Sequence, residues 1–285
     1  MLASRLRRNQ LPRRIRDLPR PRIPVPSRLI LAAAVLAVAP VLASAVPASA
    51  QTVNYVALGD SYSSGVGAGS YSGGSCDRSA NAYPQLWDNA HAPSSFIFAA
   101  CSGAKTTDVE SSQLSALSGS TSLVSITIGG NDVGFSSVME TCVLQSTSAC
   151  TSAIDKAENT AKTQLPGWLD TLFSDISARA PDATVVVLSY PEFYDLSKSS
   201  TCIGLSTTDR TNLNQGADVL DGVIQAAAGR HGFRYSDVRS AFAGHEICDS
   251  QSWLNSVDWF DIGNSYHPTA AGQADAYYPV FNAAA

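Results

Sequence analysis

A chain of 285 residues with 24 acidic and 19 basic side chains carries a net charge of −5; that balance repels nucleic acid and anionic membranes, and nucleic-acid partners are excluded. With 45% hydrophobic and 15% charged residues, the composition is that of a folded globular chain rather than a disordered or fibrous one. The cations are concentrated at the start: residues 1–28 hold nine arginines and one acid, so the rest carries 10 basic residues against 23 acidic ones.

That start reads as an export signal. An arginine-rich lead is followed by an apolar run over residues 29–42 and then by Val46-Pro47-Ala48-Ser49-Ala50, the small-residue pattern of a signal-peptidase site. The run is shorter than the roughly 20 residues a spanning helix needs, and Pro40 interrupts it, so no membrane span is expected. Residues 1–50 are expected to be removed on secretion, leaving one domain over 51–285. No repeat or long low-complexity linker divides that remainder.

Five short apolar runs follow: 53–58, 96–100, 123–128, 184–189 and 233–238. They are rich in β-branched and aromatic residues and near-continuous rather than alternating, as strands covered on both faces should be. Between them, Leu165, Leu169, Leu172, Phe173 and Ile176 recur at helical spacing and stop before Pro181. Leu213, Ala217, Leu220, Ile224 and Ala227 do the same. Strands alternating with helices predict a doubly wound three-layer α/β/α domain around a five-stranded parallel sheet. In such a sheet the chemistry sits on loops beyond the carboxyl ends of the strands.

Those loops carry four polar, glycine-bearing segments. Gly59-Asp60-Ser61 follows the first run and Cys101-Ser102-Gly103 the second; Gly130-Asn131-Asp132 follows the third, and His267-Pro268 lies near the carboxyl end. Singly, each reads as an ordinary turn or a structural histidine. Together and in this order they are specific. Asp60 and Asp132 read as loop-stabilising side chains, and His91, His231 and His245 as surface or structural ones. No CxxC or HxxxH spacing supports a metal site, and no phosphate-cradling G-x-x-x-x-G-K occurs; no cofactor or metal is expected. The G-x-S-x-G elbow of ordinary α/β-hydrolases is also missing, because Ser63 stands where its second glycine would be.

With these four blocks the chain resembles the SGNH (GDSL-type) hydrolases over essentially all of 51–285, and among them the secreted actinobacterial lipases, phospholipases and esterases. The resemblance implies a flavodoxin-like sheet and hydrolysis of acyl esters by a secreted, cofactor-free monomer. It implies Ser61 as nucleophile, His267 as general base, and an oxyanion hole built from the N–H of Ser61, the N–H of Gly103 and the side chain of Asn131. The chemistry is coherent: a serine beside a base forms an acyl-enzyme, and preset donors hold the tetrahedral oxyanion. Six cysteines in an exported chain read as disulfides, with fifteen pairings open; the resemblance implies Cys76–Cys101, Cys142–Cys150 and Cys202–Cys248.

One position departs from the family pattern. Most members have an aspartate three residues before the catalytic histidine, where this chain has Asn264. The expectation is a Ser–His dyad in which the main-chain carbonyl of Asn264 or Ser265 orients His267, with Asp261 as the rival third member. Tyr62, Val133, Phe135, Val138, Phe193 and Tyr194 are candidates for an acyl pocket. A lipid or other small ester is the expected substrate; a carbohydrate acetyl ester, or a catalytically dead secreted binding protein on the same scaffold, are the alternatives.

Overall fold

The computed structural model describes residues 52–72, 74–198 and 201–285; the expected export signal lies outside the described residues. Five strands form the sheet: β1 (Asn54–Gly59), β2 (Ser95–Phe98), β3 (Leu123–Thr127), β4 (Thr184–Leu188) and β5 (Arg234–Ser236). All pair in parallel, in the spatial order β2-β1-β3-β4-β5. This is the doubly wound flavodoxin-like order, which reverses between β1 and β3 and opens a crevice at their carboxyl ends.

Only the inner strands are covered on both faces. Every residue of β3 is buried, and the hydroxyl of Ser125 within it is satisfied by the Tyr55 hydroxyl at 2.7 Å. The runs expected at 96–100 and 233–238 are instead short edge strands: Ile97 is 45% exposed, and β5 begins on an exposed arginine. Both leave the ladder early. The N–H groups of Ala99 and Ala100 converge on one carbonyl, that of Ala57, and Val238 donates to the Ser189 hydroxyl.

The helices are α1 (Ser61–Ser64), α2 (Tyr83–His91), α3 (Thr106–Asp108), α4 (Phe135–Leu144), α5 (Thr147–Thr163), α6 (Leu165–Arg179), α7 (Thr207–Arg230), α8 (Arg239–Phe242) and α9 (Tyr278–Ala284). Short π turns extend α3 and precede α9. The two expected helices are α6 and α7. The α4–α5 hairpin was not legible, because polar and small residues dominate Thr147–Thr163. The core runs along both sheet faces. Tyr55 of β1 packs against Trp87 and Phe281 from α2 and α9, while Leu165, Leu169, Phe173 and Ile224 from α6 and α7 are fully buried.

All six cysteines are paired, as Cys76–Cys101, Cys142–Cys150 and Cys202–Cys248. The first bridge pins the loop after β2 and the second closes the α4–α5 turn. Cross-links of this kind raise stability mainly by restricting the unfolded chain.

Candidate active site

The site begins with the turn out of β1. Gly59 has φ +121°, and a Cβ there would sit 2.4 Å from the Thr127 carbonyl oxygen, so only glycine fits. Asp60 then caps the one-turn helix α1, its Oδ1 accepting from Tyr62 N–H at 3.0 Å. Ser61 is thereby the first residue of a helix, a position whose N–H has no intrahelical acceptor. Buried side chains hold this turn from several directions. The Gln113 amide bonds both the N–H and the carbonyl of Gly59, each at 2.8 Å. Ser63 Oγ accepts from Thr127 N–H at 3.0 Å, and Gln273 Nε2 donates to the Tyr62 carbonyl at 3.0 Å.

His267 arrives from 206 residues further along the chain. Its Nε2 lies 2.7 Å from Ser61 Oγ, and its Nδ1 lies 3.0 Å from the Ser265 main-chain carbonyl. A carbonyl can only accept, so Nδ1 carries the proton and Nε2 faces the serine with a free lone pair. The preceding residue, Tyr266, is held at φ +65°, a conformation a bulky side chain adopts only when its surroundings impose it. They do so here. Asn255 exchanges main-chain hydrogen bonds with Tyr266 and His267, both at 2.9 Å. The Tyr62 hydroxyl donates to the Tyr266 carbonyl at 2.7 Å, and the Tyr62 ring packs on the imidazole with centroids 5.1 Å apart.

Among the described residues no carboxylate reaches the imidazole. The Asn264 side chain turns away, donating to Asp261 Oδ2 at 2.9 Å and accepting from the Tyr71 hydroxyl at 3.0 Å, and Asp261 is exposed. Of the two carbonyls expected to orient His267, that of Ser265 makes the bond. Asn264→Ala is therefore expected to retain kcat within about fivefold of the parent, since it removes only an exposed brace; loss beyond a hundredfold in a folded variant would put the amide side chain into the mechanism.

Burial pushes the His267 imidazole down to about 4, against the Ser265 carbonyl, which favours the charged ring. Burial likewise raises the Asp60 carboxyl to about 7, opposed by hydrogen bonds from Tyr190 and Tyr62. A general base must be unprotonated in the free enzyme. The acid limb of kcat/KM is accordingly expected near pH 4, not near the 6.5 of an ordinary histidine. A limb at pH 6–7 that persists in Asp60→Asn would overturn this. The sign for stability is the same: between about 4 and 6.5 the unfolded chain binds the extra proton, so His267 makes folding less favourable as pH falls.

The remaining loops meet the serine turn through polar ties. Tyr190, at the carboxyl end of β4, donates its hydroxyl to Asp60 Oδ2 and accepts from Gly130 N–H at 2.9 Å, linking the β1 and β3 loops. Asn131 Nδ2 donates to the Ala104 carbonyl at 3.0 Å, and an amide NH₂ keeps a second N–H for another acceptor. Asp132 accepts from the Thr106 N–H and from its hydroxyl, the latter at 2.7 Å. Gly103 sits in this tied loop at φ +77°, and a Cβ there would meet nothing within 4 Å; backbone conformation, not crowding by protein, asks for glycine. The N–H groups of Ser61 and Gly103 donate to no partner among the described residues.

Ser61 and Asn131 open into an apolar cleft between α4, α5 and α7. Val133, Phe135, Val138 and Phe193 line it as expected, with Tyr62. Tyr194 does not: it is core, its hydroxyl 3.1 Å from that of Tyr266. Met139, Ile154, Ala161, Leu213 and Leu220 also line it, with Glu158 the one charged side chain from α5, and were not foreseen as lining. The other histidines lie elsewhere. His245 stacks on Trp253 at 3.6 Å, His91 on Trp87 at 4.3 Å, and His231 bonds Asp170. Sequence reasoning missed Gln113, Gln273 and Tyr190. Only Tyr190 had a signal, its place just past the end of a predicted strand.

Residues 57–274 match the family model described as GDSL-like lipase/acylhydrolase. The chain belongs to this family. It is 56% identical over 262 residues to Lipase 1 of Streptomyces coelicolor, covering 91% of this chain and 96% of that protein. It is 52% identical over 236 residues to a lipase of Streptomyces rimosus, covering 82% and 87%. Among solved structures, phospholipase A1 from Streptomyces albidoflavus matches with a TM-score of 0.80 at 54% identity, over 82% of this chain and all of that one. This GDSL-family chain is a carboxylic ester hydrolase on an α/β/α scaffold.

Proposed function

We propose that the protein is exported and hydrolyses lipid acyl esters, with Ser61 as nucleophile and His267 as general base. The observation that carries the reading is the 2.7 Å Ser61–His267 hydrogen bond beside an apolar cleft. His267 Nε2 takes the hydroxyl proton as Ser61 Oγ attacks the ester carbonyl. The oxyanion is met by the N–H groups of Ser61 and Gly103 and by the Asn131 amide. The imidazolium then gives its proton to the leaving alcohol, and the neutral ring activates water to release the acid. The Ser265 carbonyl fixes the tautomer throughout.

The walls that α4, α5 and α7 give the cleft are mostly apolar and suit the alkyl part of an acyl chain. Relatives named lipase and phospholipase A1 support the same reading. Export rests on the signal-like residues 1–50 and on the three disulfides. No helix among the described residues is long and apolar enough to cross a membrane. A p-nitrophenyl ester series from acetate to palmitate tests the substrate class. Optimal kcat/KM at butyrate or longer is expected, and highest activity on acetate would favour a carbohydrate acetyl esterase. No turnover of any ester by folded protein would favour the catalytically dead binding protein.

A further inference from the structure

The loop that delivers His267 is apolar where it meets water. Trp259 is 67% exposed, Ile262 64%, and Phe260 wholly so; Leu144 at the end of α4 is 61% exposed. Exposed large side chains are ordinary when scattered, but a contiguous group beside a cleft marks a surface with a partner. Here the group is continuous with the catalytic centre: Trp259, Ile262 and Leu144 line a second groove that ends at His267.

The loop is braced in this outward-facing form. Asp258 Oδ1 accepts from the N–H groups of Phe260 and Asp261 at 2.9 and 3.2 Å, and Asp258 N–H donates to Ser265 Oγ at 2.9 Å. The polar side chains tie the loop to itself and to the histidine turn, and the apolar ones point into solvent. Charge narrows the partner. No lysine or arginine follows Arg239, and none lies between Lys105 and Lys156, so both segments of the patch lack cations. Asp258 and Asp261 lie within the same loop, and Glu140 lines the groove. Such a surface gains nothing from anionic headgroups and loses affinity to them.

We propose that Trp259, Phe260 and Ile262, with Leu144 across the groove, dock the enzyme onto a zwitterionic lipid surface and set the groove to His267 against it. The proposal rests on the lipid-ester reading above. Aromatic and aliphatic side chains partition into the headgroup–acyl boundary, and a lipid leaving the surface enters the groove without crossing water.

The test separates docking from catalysis. Co-sedimentation with phosphatidylcholine vesicles is measured in the Ser61→Ala background, where lipid is not consumed, with Phe260→Ser and Phe260→Trp added. Phe260 is fully exposed, so neither change disturbs the core. Ser61→Ala protein is expected to bind with a blue-shifted tryptophan emission. Phe260→Ser should weaken binding about tenfold, the order expected for one phenyl ring withdrawn from an apolar phase, and Phe260→Trp should restore it. With Ser61 intact, Phe260→Ser should hydrolyse dissolved p-nitrophenyl butyrate within about twofold of the parent yet lose about tenfold on vesicle lipid. Unchanged vesicle binding by Phe260→Ser, or no binding by the parent, overturns the proposal. Binding that rises with added phosphatidylglycerol overturns its charge argument, and a lipid-free dimer abolished by Phe260→Ser assigns the patch to a second copy instead. Absence of all esterase activity would sink the functional reading but leave the binding arm interpretable.

Discussion

Ser61→Ala and His267→Ala are each expected to lower kcat on a soluble acyl ester by about 10⁵–10⁶-fold, and the double variant by no more than either alone. The two side chains form one unit joined by the 2.7 Å bond between Oγ and Nε2. Without the base, the Ser61 hydroxyl keeps its proton and attacks poorly; without the nucleophile, the base has no acyl-enzyme to build. What survives is the rate due to bound geometry and oxyanion donors, which is why the losses do not add. The check is kcat for the three variants, with near-ultraviolet circular dichroism to establish folding. Additive losses would mean that the residues act in separate steps, and a His267→Ala loss under about a hundredfold would move the base elsewhere.

The proposed Ser61–His267 dyad needs no carboxylate to orient it, because a main-chain carbonyl performs that part of the role. Fixing the tautomer needs only an acceptor at Nδ1, and Ser265 supplies one at 3.0 Å. Stabilising the imidazolium electrostatically would need a charge, and none among the described residues is in contact. Burial holds the affinity of His267 for protons down to about 4, with only main-chain carbonyls to oppose it.

Asn131→Ala is the second large effect: kcat is expected to fall about 10²–10³-fold with KM little changed, the usual cost of one oxyanion donor. The Asn131 amide is preset by its bond to the Ala104 carbonyl, and the adjacent Gly130 N–H is anchored on the Tyr190 hydroxyl. The donor therefore need not reorganise as charge develops on the substrate oxygen. A substrate carbonyl in the ground state gains less from it than the oxyanion does, so the loss belongs in kcat. Steady-state kinetics on p-nitrophenyl butyrate decide the matter. A loss confined to KM would make Asn131 a substrate-binding residue instead. Because the same bond ties the β2 and β3 loops, the thermal midpoint of the variant is measured beside its kinetics.

Much of this arrangement was legible from residue order alone. The inner strands β1, β3 and β4 were readable because burial on both faces forces continuous apolar residues, and α6 and α7 because one buried face repeats every three to four positions. The loops holding Gly59-Asp60-Ser61, Gly103 and Gly130-Asn131-Asp132 were readable as strand-end loops, but their roles and that of His267 came from the resemblance of the four blocks, in this order, to a known family. Edge strands were overextended, since a phenylalanine or isoleucine looks the same in sequence whether a helix covers it or not. The α4–α5 hairpin escaped because Thr147–Thr163 offers mostly small and polar side chains.

The sequence by itself determined the fold class and the absence of an aspartate at position 264, because these depend on residue identity and on chain order; Ser61 and His267 became candidates through the resemblance of their blocks to a known family. Only the tertiary structure decided how His267 is oriented and how the serine turn is held. Ser265 acts through its main chain, which no side-chain pattern encodes. Gln113, Gln273 and Tyr190 act across separations of 54, 211 and 130 residues, and partners that distant leave no local trace in a sequence. The apolar cleft is equally non-local: α4, α5 and α7 each contribute one wall, and a wall becomes a pocket only when the other two are packed beside it.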